Sequence, residues 1–193
     1  MKNLAVKFKF LFCLVLAAIG LASCNDDDLK NTATISAKKI TLSKDRSIGV
    51  NVTYSDSAYV KAIGFAPVLD KVTPSVGAIY NEMPKGVKIE FFDEFLKKSG
   101  TITSDYAINK ESEKITIFRK HVVVVMVASS ITFTTEELIW DENKKLYTSP
   151  YGTVIGKDGE RMTGTKFSAP QDFSTYDILQ ASGETTIKGD LSQ

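Results

Sequence analysis

Residues 121–127 read His121-Val122-Val123-Val124-Val125-Met126-Val127, an almost uninterrupted run of valine. The side chains of a strand alternate between the two faces of its sheet. Both faces of this stretch are therefore apolar, which predicts a strand that is covered on both sides. Two interpretations remain open: a central strand of the core, or a strand whose inner face lines an apolar groove.

Stretches on both sides of the valine run also have a strand pattern. Apolar residues occupy alternate positions in residues 48–54 and 87–91, and apolar strands are also indicated in residues 102–108, 115–117, 131–133 and 151–154. Turn-forming sequences separate them, namely Asp56-Ser57, Pro84-Lys85-Gly86, Ser99-Gly100, Asp141-Glu142-Asn143, Lys157-Asp158-Gly159 and Ser182-Gly183. No long stripe with helical spacing lies between them. From Ile40 onward, the pattern predicts an all-β sandwich, roll or barrel.

The first 23 residues have the three parts of a secretion signal. Lys2, Lys7 and Lys9 form a positive region, and the apolar residues 10–21 that follow are too few to span a bilayer core of about 30 Å. The stretch ends in Leu21-Ala22-Ser23-Cys24, which has the pattern of a lipobox. We therefore predict cleavage after Ser23 and lipidation of Cys24. The alternative is an ordinary signal peptide with an unrelated cysteine nearby.

The mature chain is predicted to consist of a lipidated tether and one domain. Residues 24–39 contain three consecutive aspartates and no apolar periodicity, which is typical of a flexible polar linker. Residues 40–193 carry the strand pattern, and a mature chain of this length suits a single domain with a sizeable core. Two or three acyl chains anchor a protein stably. We therefore expect the protein to work at a membrane surface without spanning the membrane.

The chain offers few residues for catalysis or metal binding. His121 is the only histidine, and the two cysteines are Cys13, which leaves with the signal, and Cys24, which takes the lipid. No thiol remains for a nucleophile or a metal site, and no phosphate-binding glycine loop or Gly-x-Ser-x-Gly motif occurs. Removal of residues 1–23 takes away three of the 24 basic residues and none of the 23 acidic ones, which leaves a net charge of −2. We predict a protein that is not an enzyme, holds no metal or cofactor and does not bind nucleic acid.

Several stretches, in this order and spacing, resemble the LptC family, the periplasmic component of the lipopolysaccharide export machine, in the shorter lipoprotein form found in some bacteria. The resemblance covers about residues 47–183. It includes Thr134-Thr135-Glu136-Glu137-Leu138-Ile139-Trp140-Asp141, where the family commonly reads Thr-Glu-x-Leu-x-(Trp/Tyr)-Asp. The other matching stretches are residues 52–57, 66–67, 87–93, 102–108, the valine run, 164–167 and 171–176.

Three features depart from the family pattern. The usual Gly-x-Gly is Gly164-Thr165-Lys166, so the second glycine position holds a lysine. A turn that usually reads Asn-Gly is Phe95-Leu96, so that hairpin must close differently. The predicted anchor consists of acyl chains, whereas many relatives use a transmembrane helix.

The resemblance implies a two-sheet β-jellyroll of the OstA/LptA type, open along one side, with acyl chains between the sheets and the sugar head in water. It implies three partners: lipopolysaccharide, the inner-membrane ABC transporter subunits, and a periplasmic jellyroll bridge protein that takes over the cargo by edge-strand pairing. It places the protein at the periplasmic face of the inner membrane. The candidate lipid-groove residues are Val122, Val124, Met126, Ile131, Phe133, Tyr106 and Ile108.

An alternative function belongs to another class. Asn25-Asp26-Asp27-Asp28 resembles the acidic sequence that sends lipoproteins to the cell surface in some bacteria. The β domain would then be an interaction module of a surface-exposed lipoprotein, at the outer membrane or the cell surface. The same run also suits a plain soluble spacer, and the sequence leaves open which membrane holds the anchor.

Overall fold

The structure is a computed structural model that describes residues 40–127 and 129–184, and it confirms the all-β prediction. The predicted cleavage site, Cys24 and the tether lie outside these residues. No helix occurs in the described part of the chain. The strands are β1 (Leu42–Asp56), β2 (Tyr59–Pro74), β3 (Tyr80–Met83), β4 (Val87–Phe92), β5 (Lys98–Ser104), β6 (Tyr106–Lys110), β7 (Ile115–Met126), β8 (Ile131–Asp141), β9 (Leu146–Ile155), β10 (Arg161–Pro170) and β11 (Asp177–Glu184).

Two long strands, β2 and β7, bring the antiparallel sheet back on itself. The first half of β2 pairs with β4 and its second half pairs with β3. In the same way, β7 pairs with β6 through its first half and with β5 through its second half. These pairings close a ring of six strands in the order β2–β4–β5–β7–β6–β3. Strand β1 pairs with β2 outside the ring, and β8, β9, β10 and β11 follow β7 in that order. The two halves of the ring form the two layers of a β-jellyroll-like sandwich.

The strands that follow β7 pass from one layer to the other at a corner, where successive buried residues are three positions apart instead of two. On β8 these residues are Thr135 and Leu138, and on β9 they are Ser149 and Gly152. An irregularity of this kind re-aims the side chains that follow it. The Thr135 and Ser149 hydroxyl oxygens lie 2.6 and 2.8 Å from the carbonyl oxygen of Tyr151. A backbone acceptor at the corner is thereby satisfied inside the protein.

The inner faces pack closely on the β8–β10 side. Phe133 stacks on Phe167 with ring centroids 3.8 Å apart, and the Phe167 ring lies 5.9 Å from that of Tyr176. Tyr147 packs in the same way against Phe173, at 4.7 Å. Aromatic side chains bury large areas in such stacks, so this side of the core is closed.

The valine run lies in β7, and only one of its faces is covered. Val122, Val124 and Met126 point inward and are 0%, 1% and 8% exposed. Val125 and Val127, on the other face, are 38% and 56% exposed, so the prediction of cover on both sides is wrong. A sandwich has only two layers, so the outer face of β7 meets solvent. Valine still favours the strand conformation there.

Candidate binding slot between the layers

A slot opens between the layers on the β1–β4 side of the sandwich, away from the aromatic stack. Its volume is about 330 Å³, at the lower end of the range of about 300–1,000 Å³ that is typical of small-molecule sites. Its walls are mostly apolar. They include Val50, Val52, Ala66, Val87, Ile89 and Phe118.

Small residues on β2 create this space. Gly64 and Ala66 lie opposite Val52 and Val50 in the β1–β2 register, and all four line the slot. A Cβ atom at Gly64 would come no closer than 3.9 Å to any neighbour, the nearest being the Ile89 side chain and the Val52 carbonyl oxygen. The small side chains on β2 therefore leave room next to the larger ones on β1, and this room is part of the slot between the layers.

The slot is open along β1. Among the described strands, β1 pairs only with β2. Its apolar side chains on the slot face stay in contact with solvent, since Ile48 is 72%, Val52 56% and Tyr54 49% exposed. A row of exposed apolar side chains beside a cavity is typical of a binding surface.

Polar side chains lie at the rim of the slot, near the β6–β7 turn. Asn81 Nδ2 donates to Glu111 Oε1 at 2.7 Å, and Asn109 Nδ2 donates to Thr116 Oγ1 at 2.9 Å. All four side chains line the slot. The rim therefore offers hydrogen bonds and the interior offers apolar surface, which together suit an amphiphile.

A cluster of charged residues ties β1 to its neighbours beside the slot. Arg46 donates two hydrogen bonds to Asp70, at 2.6 and 2.8 Å, and Lys44 donates to Glu82 at 2.6 Å. The hydrogen bond from Arg46 holds the pKa of Asp70 below its usual value, and the one from Lys44 does the same for Glu82. Burial, reinforced by a hydrogen bond to Glu82, raises the pKa of Tyr106 to about 12. Both cations of this cluster are thus paired within the protein.

Most of the sequence-predicted groove residues lie together, but at the packed side of the core. Val124, Met126, Ile131 and Phe133 line a crevice of about 10 Å³, which is roughly the room that one water molecule needs. Val122 is two positions before Val124 on the same inner face and is fully buried. In this structure protein side chains fill the predicted groove at these positions.

Tyr106 and Ile108 lie on a different surface from the other five candidates. Ala107 between them is fully buried and is paired with Phe118, so the two flanking side chains point to the opposite face of β6. The Tyr106 hydroxyl donates to Glu82 at 2.8 Å. The lipid-binding role of all seven residues stays a prediction.

Sequence reasoning missed the residues that form the slot. The alternation of Ile48, Val50, Val52 and Tyr54 is visible in the sequence and predicts the strand β1. The small residues Ala62, Gly64 and Ala66 also occupy alternate positions. They indicate a cavity only once the register of β1 and β2 is known.

His121 lies on the outer surface, outside the slot. Its Nδ1 atom is 2.6 Å from Asp105 Oδ2, and the two side chains are 79% and 61% exposed. The hydrogen bond to Asp105 raises the pKa of His121. Within residues 40–127 and 129–184, no group of three or more potential ligands is placed to hold a metal ion. No helix in those ranges is long and apolar enough to cross a membrane.

Family models and curated proteins give no further guide to the slot. No family model matches the chain, and no curated protein matches it either. What the slot binds is therefore inferred from its own chemistry: apolar walls, a polar rim and one open side.

Proposed function

We propose that the protein is a membrane-anchored lipid carrier of the LptC kind, which accepts lipopolysaccharide at the periplasmic face of the inner membrane and passes it on. The observation that carries the proposal is the apolar slot of about 330 Å³ that is open along β1. An acyl chain that enters the slot leaves water, which contributes about 0.8 kcal/mol per buried methylene. The sugar head remains outside, beside the polar rim.

The open side suits a lipid with a large head. Acyl chains can slide between the layers along β1 while the head stays in solvent. The slot holds only part of a lipid with several chains, so the remaining chains require the layers to part at the Phe133–Phe167 stack. A binding site of this kind needs no catalytic group.

The edge strand β1 supplies a route for transfer. It has 15 residues and pairs on one side only within the described sheet. Its other edge can take up a strand of a neighbouring jellyroll by β-augmentation, which would join the interiors of the two proteins. The opposite edge strand, β11, is shorter and has two irregularities in its register with β10, so it is the poorer template.

Photo-crosslinking on β1 tests the proposed cargo. Val52 and Thr53 are adjacent and both exposed, but their side chains point to opposite faces of the strand. A crosslinker at Val52 in living cells should capture lipopolysaccharide, and one at Thr53 should not. Protein or glycan adducts at both positions, without lipid at Val52, would contradict the carrier and favour the surface interaction module.

Fatty-acid labelling tests the proposed anchor separately. Wild-type protein should incorporate the label, and the Cys24→Ser variant should not, because the lipid is proposed to be attached to that sulfur. Fractionation of the two membranes, with protease treatment of whole cells, then distinguishes the inner membrane from the cell surface. Equal labelling of both proteins would refute the lipoprotein assignment without affecting the slot.

A further inference from the structure

A second apolar surface lies at the end of the sandwich where the chain enters β1. It consists of Ile40, Leu42, Val76 and Ile79, which we call the end patch, with exposed fractions of 59%, 54%, 52% and 46%. Single exposed apolar residues are common on proteins, but four at one end of a sheet make a candidate contact surface. None of these residues lines the slot.

Hydrogen bonds hold the two parts of the end patch together. Ser75 N donates to the Thr41 carbonyl oxygen at 2.9 Å, and Thr41 N donates to Ser75 Oγ at 3.2 Å. These bonds extend the β1–β2 register, in which Leu42 is opposite Pro74, by one step. Ile40 and Val76 directly flank this contact in the sequence, next to Thr41 and Ser75. Ile79 directly precedes Tyr80, which pairs with Val72 on β2, so all four residues of the end patch lie at the same end of the sheet.

We propose that the end patch rests on the phospholipid surface that holds the acyl anchor. The proposal depends on the proposed lipidation of Cys24, because that anchor brings the membrane to this end of the domain. Ile40 is 16 positions after Cys24, and a relaxed linker of that length spans roughly 20 Å. The bilayer is therefore within easy reach of the residue where the patch begins.

The sequence that leads into the end patch agrees with a lipid surface as the occupant. Lys38 and Lys39 immediately precede Ile40 in the sequence. Basic residues next to exposed apolar side chains are the usual composition of an interfacial contact with anionic phospholipids. The anchor, the lysines and the apolar side chains thus follow one another along the chain.

The end patch also borders the slot. Ile79 shares a surface recess with Asn81 and Glu111, and these two residues belong to the polar rim. When the end patch contacts the membrane, the polar rim of the slot therefore lies near the lipid head groups. Cargo that leaves the membrane would meet the slot at this end.

Two exposed apolar residues near the far end of β1 provide a matched control. Phe95 and Leu96 in the β4–β5 turn are 73% and 62% exposed, more than any residue of the end patch. They follow Phe91, which pairs with Ala62 close to the β1–β2 turn, so they lie at the opposite end of that hairpin. If exposed apolar area alone decided membrane contact, these two residues would matter at least as much as Val76 and Ile79.

The experiment uses the mature chain with Cys24→Ser, which isolates the end patch from the acyl anchor. Flotation with phosphatidylethanolamine–phosphatidylglycerol vesicles should show weak binding of this protein. Val76→Ser combined with Ile79→Ser should lower the partition coefficient by about tenfold, because two aliphatic side chains no longer leave water. Phe95→Ser combined with Leu96→Ser should leave it unchanged. An equal loss in both double variants, or no binding of the parent protein, would overturn the proposal.

A fluorescent label locates the contact. The mature chain with Cys24→Ser has no other cysteine, so a polarity-sensitive dye can be attached uniquely at Val76→Cys or at Phe95→Cys. The dye at position 76 should brighten with vesicles and be quenched by quenchers in the lipid tails, and the dye at position 95 should do neither. Quenching at position 95 alone would overturn the proposal. Crosslinking at Val52 and labelling at Cys24 are read out independently, so failure of the carrier function is distinguishable from failure of the end patch.

Discussion

Arg46 on β1 and Asp70 on β2 lie opposite each other in the register and are joined by two hydrogen bonds of 2.6 and 2.8 Å. The Asp70 side chain is 0% exposed and that of Arg46 is 59% exposed, so the guanidinium covers the carboxylate. This contact holds the first half of β1 against β2. The second half of the strand, with Val52 and Tyr54, borders the open slot.

Replacement of Arg46 by methionine should loosen β1. The substitution leaves the Asp70 carboxylate covered by apolar groups without its main partner, which is unfavourable. We expect a lower thermal midpoint and faster amide hydrogen exchange in β1. Arg119→Met is the matched control, because Arg119 also pairs with a carboxylate at 2.7 Å, but that carboxylate, Glu137, is 32% exposed. An equal effect of the two substitutions would show that Arg46 has no special role in fixing the edge strand.

The same ion pair predicts how acid affects the domain. The folded protein lowers the pKa of Asp70 from its ordinary value of 3.8, chiefly through the hydrogen bond from Arg46. The pair therefore contributes stability above that value, and the contribution is lost as the pH falls through the lower, folded-state pKa. The stabilities of wild type and Asp70→Asn should differ most near neutral pH, and the difference should begin to shrink as the pH falls below about 4. A difference that grows on acidification would contradict this assignment.

Gly64→Ile should block the slot without harming the fold. The added Cβ has room, with its nearest neighbours at 3.9 Å, and the rest of the side chain would project into the cavity. Because glycine in a strand interior is unfavourable, the free energy of unfolding should stay the same or rise by about 0.5–1 kcal/mol. Lipid capture by a crosslinker at Val52 should be lost. Thr103→Ile on β5 is the control. Its neighbour Ile102 points inward and is 0% exposed, so the side chain at position 103 points away from the interior.

Local patterns were sufficient to predict the fold class and several of the turns. The Asp56-Ser57 turn is present, with positive φ angles of 52° at Ser57 and 67° at Ala58. Ser99-Gly100, in contrast, lies within β5 and is not a turn. A Cβ at Gly100 would come 2.7 Å from Met126 Sδ and 2.8 Å from the Val125 carbonyl oxygen. That glycine serves close packing of β5 on β7, which the sequence does not distinguish from a turn.

The actual β4–β5 turn carries residues that rarely signal one. Phe95 and Leu96 lie at its tip, and Leu96 has a φ of 59°. Asp93 closes the turn, because its Oδ1 accepts hydrogen bonds of 2.9 Å from Phe95 N and from Lys97 N. The expectation that this hairpin closes without Asn-Gly is thus confirmed, and the side chain of Asp93 is the means.

The slot was beyond sequence reasoning for a related reason. Its position depends on which strands pair and in what register, since the small residues of β2 matter only opposite the large ones of β1. The valine run is recognisable in the sequence because its pattern is local. Its inner face instead packs against the aromatic stack, with Phe133 and Phe167 at 3.8 Å.

Thr135→Val should reveal the cost of the corner between the layers. The substitution keeps the shape of the side chain but removes the hydroxyl that lies 2.6 Å from the Tyr151 carbonyl oxygen and 2.9 Å from Ser149 Oγ. Loss of a partner for buried polar groups should lower the free energy of unfolding by about 1–3 kcal/mol. Thr134→Val, on the opposite face of β8, should change it by less than about 0.5 kcal/mol. Denaturant titration measures both values, and equal losses would contradict a structural role for the corner hydroxyls.

Crosslinkers along β7 should show whether the packed side of the core opens during transport. Val122, Val124 and Met126 point inward, whereas Val123, Val125 and Val127 point outward. If the layers part at the Phe133–Phe167 stack to admit further acyl chains, the inward set should capture lipopolysaccharide in living cells and the outward set should not. Capture at Val52 without capture at any inward position of β7 would confine the cargo to the slot.

His121→Ala should leave transport intact, because His121 is exposed and lies outside the slot. Loss of transport in that variant, with normal folding, would point to a chemical role that the proposed carrier does not need.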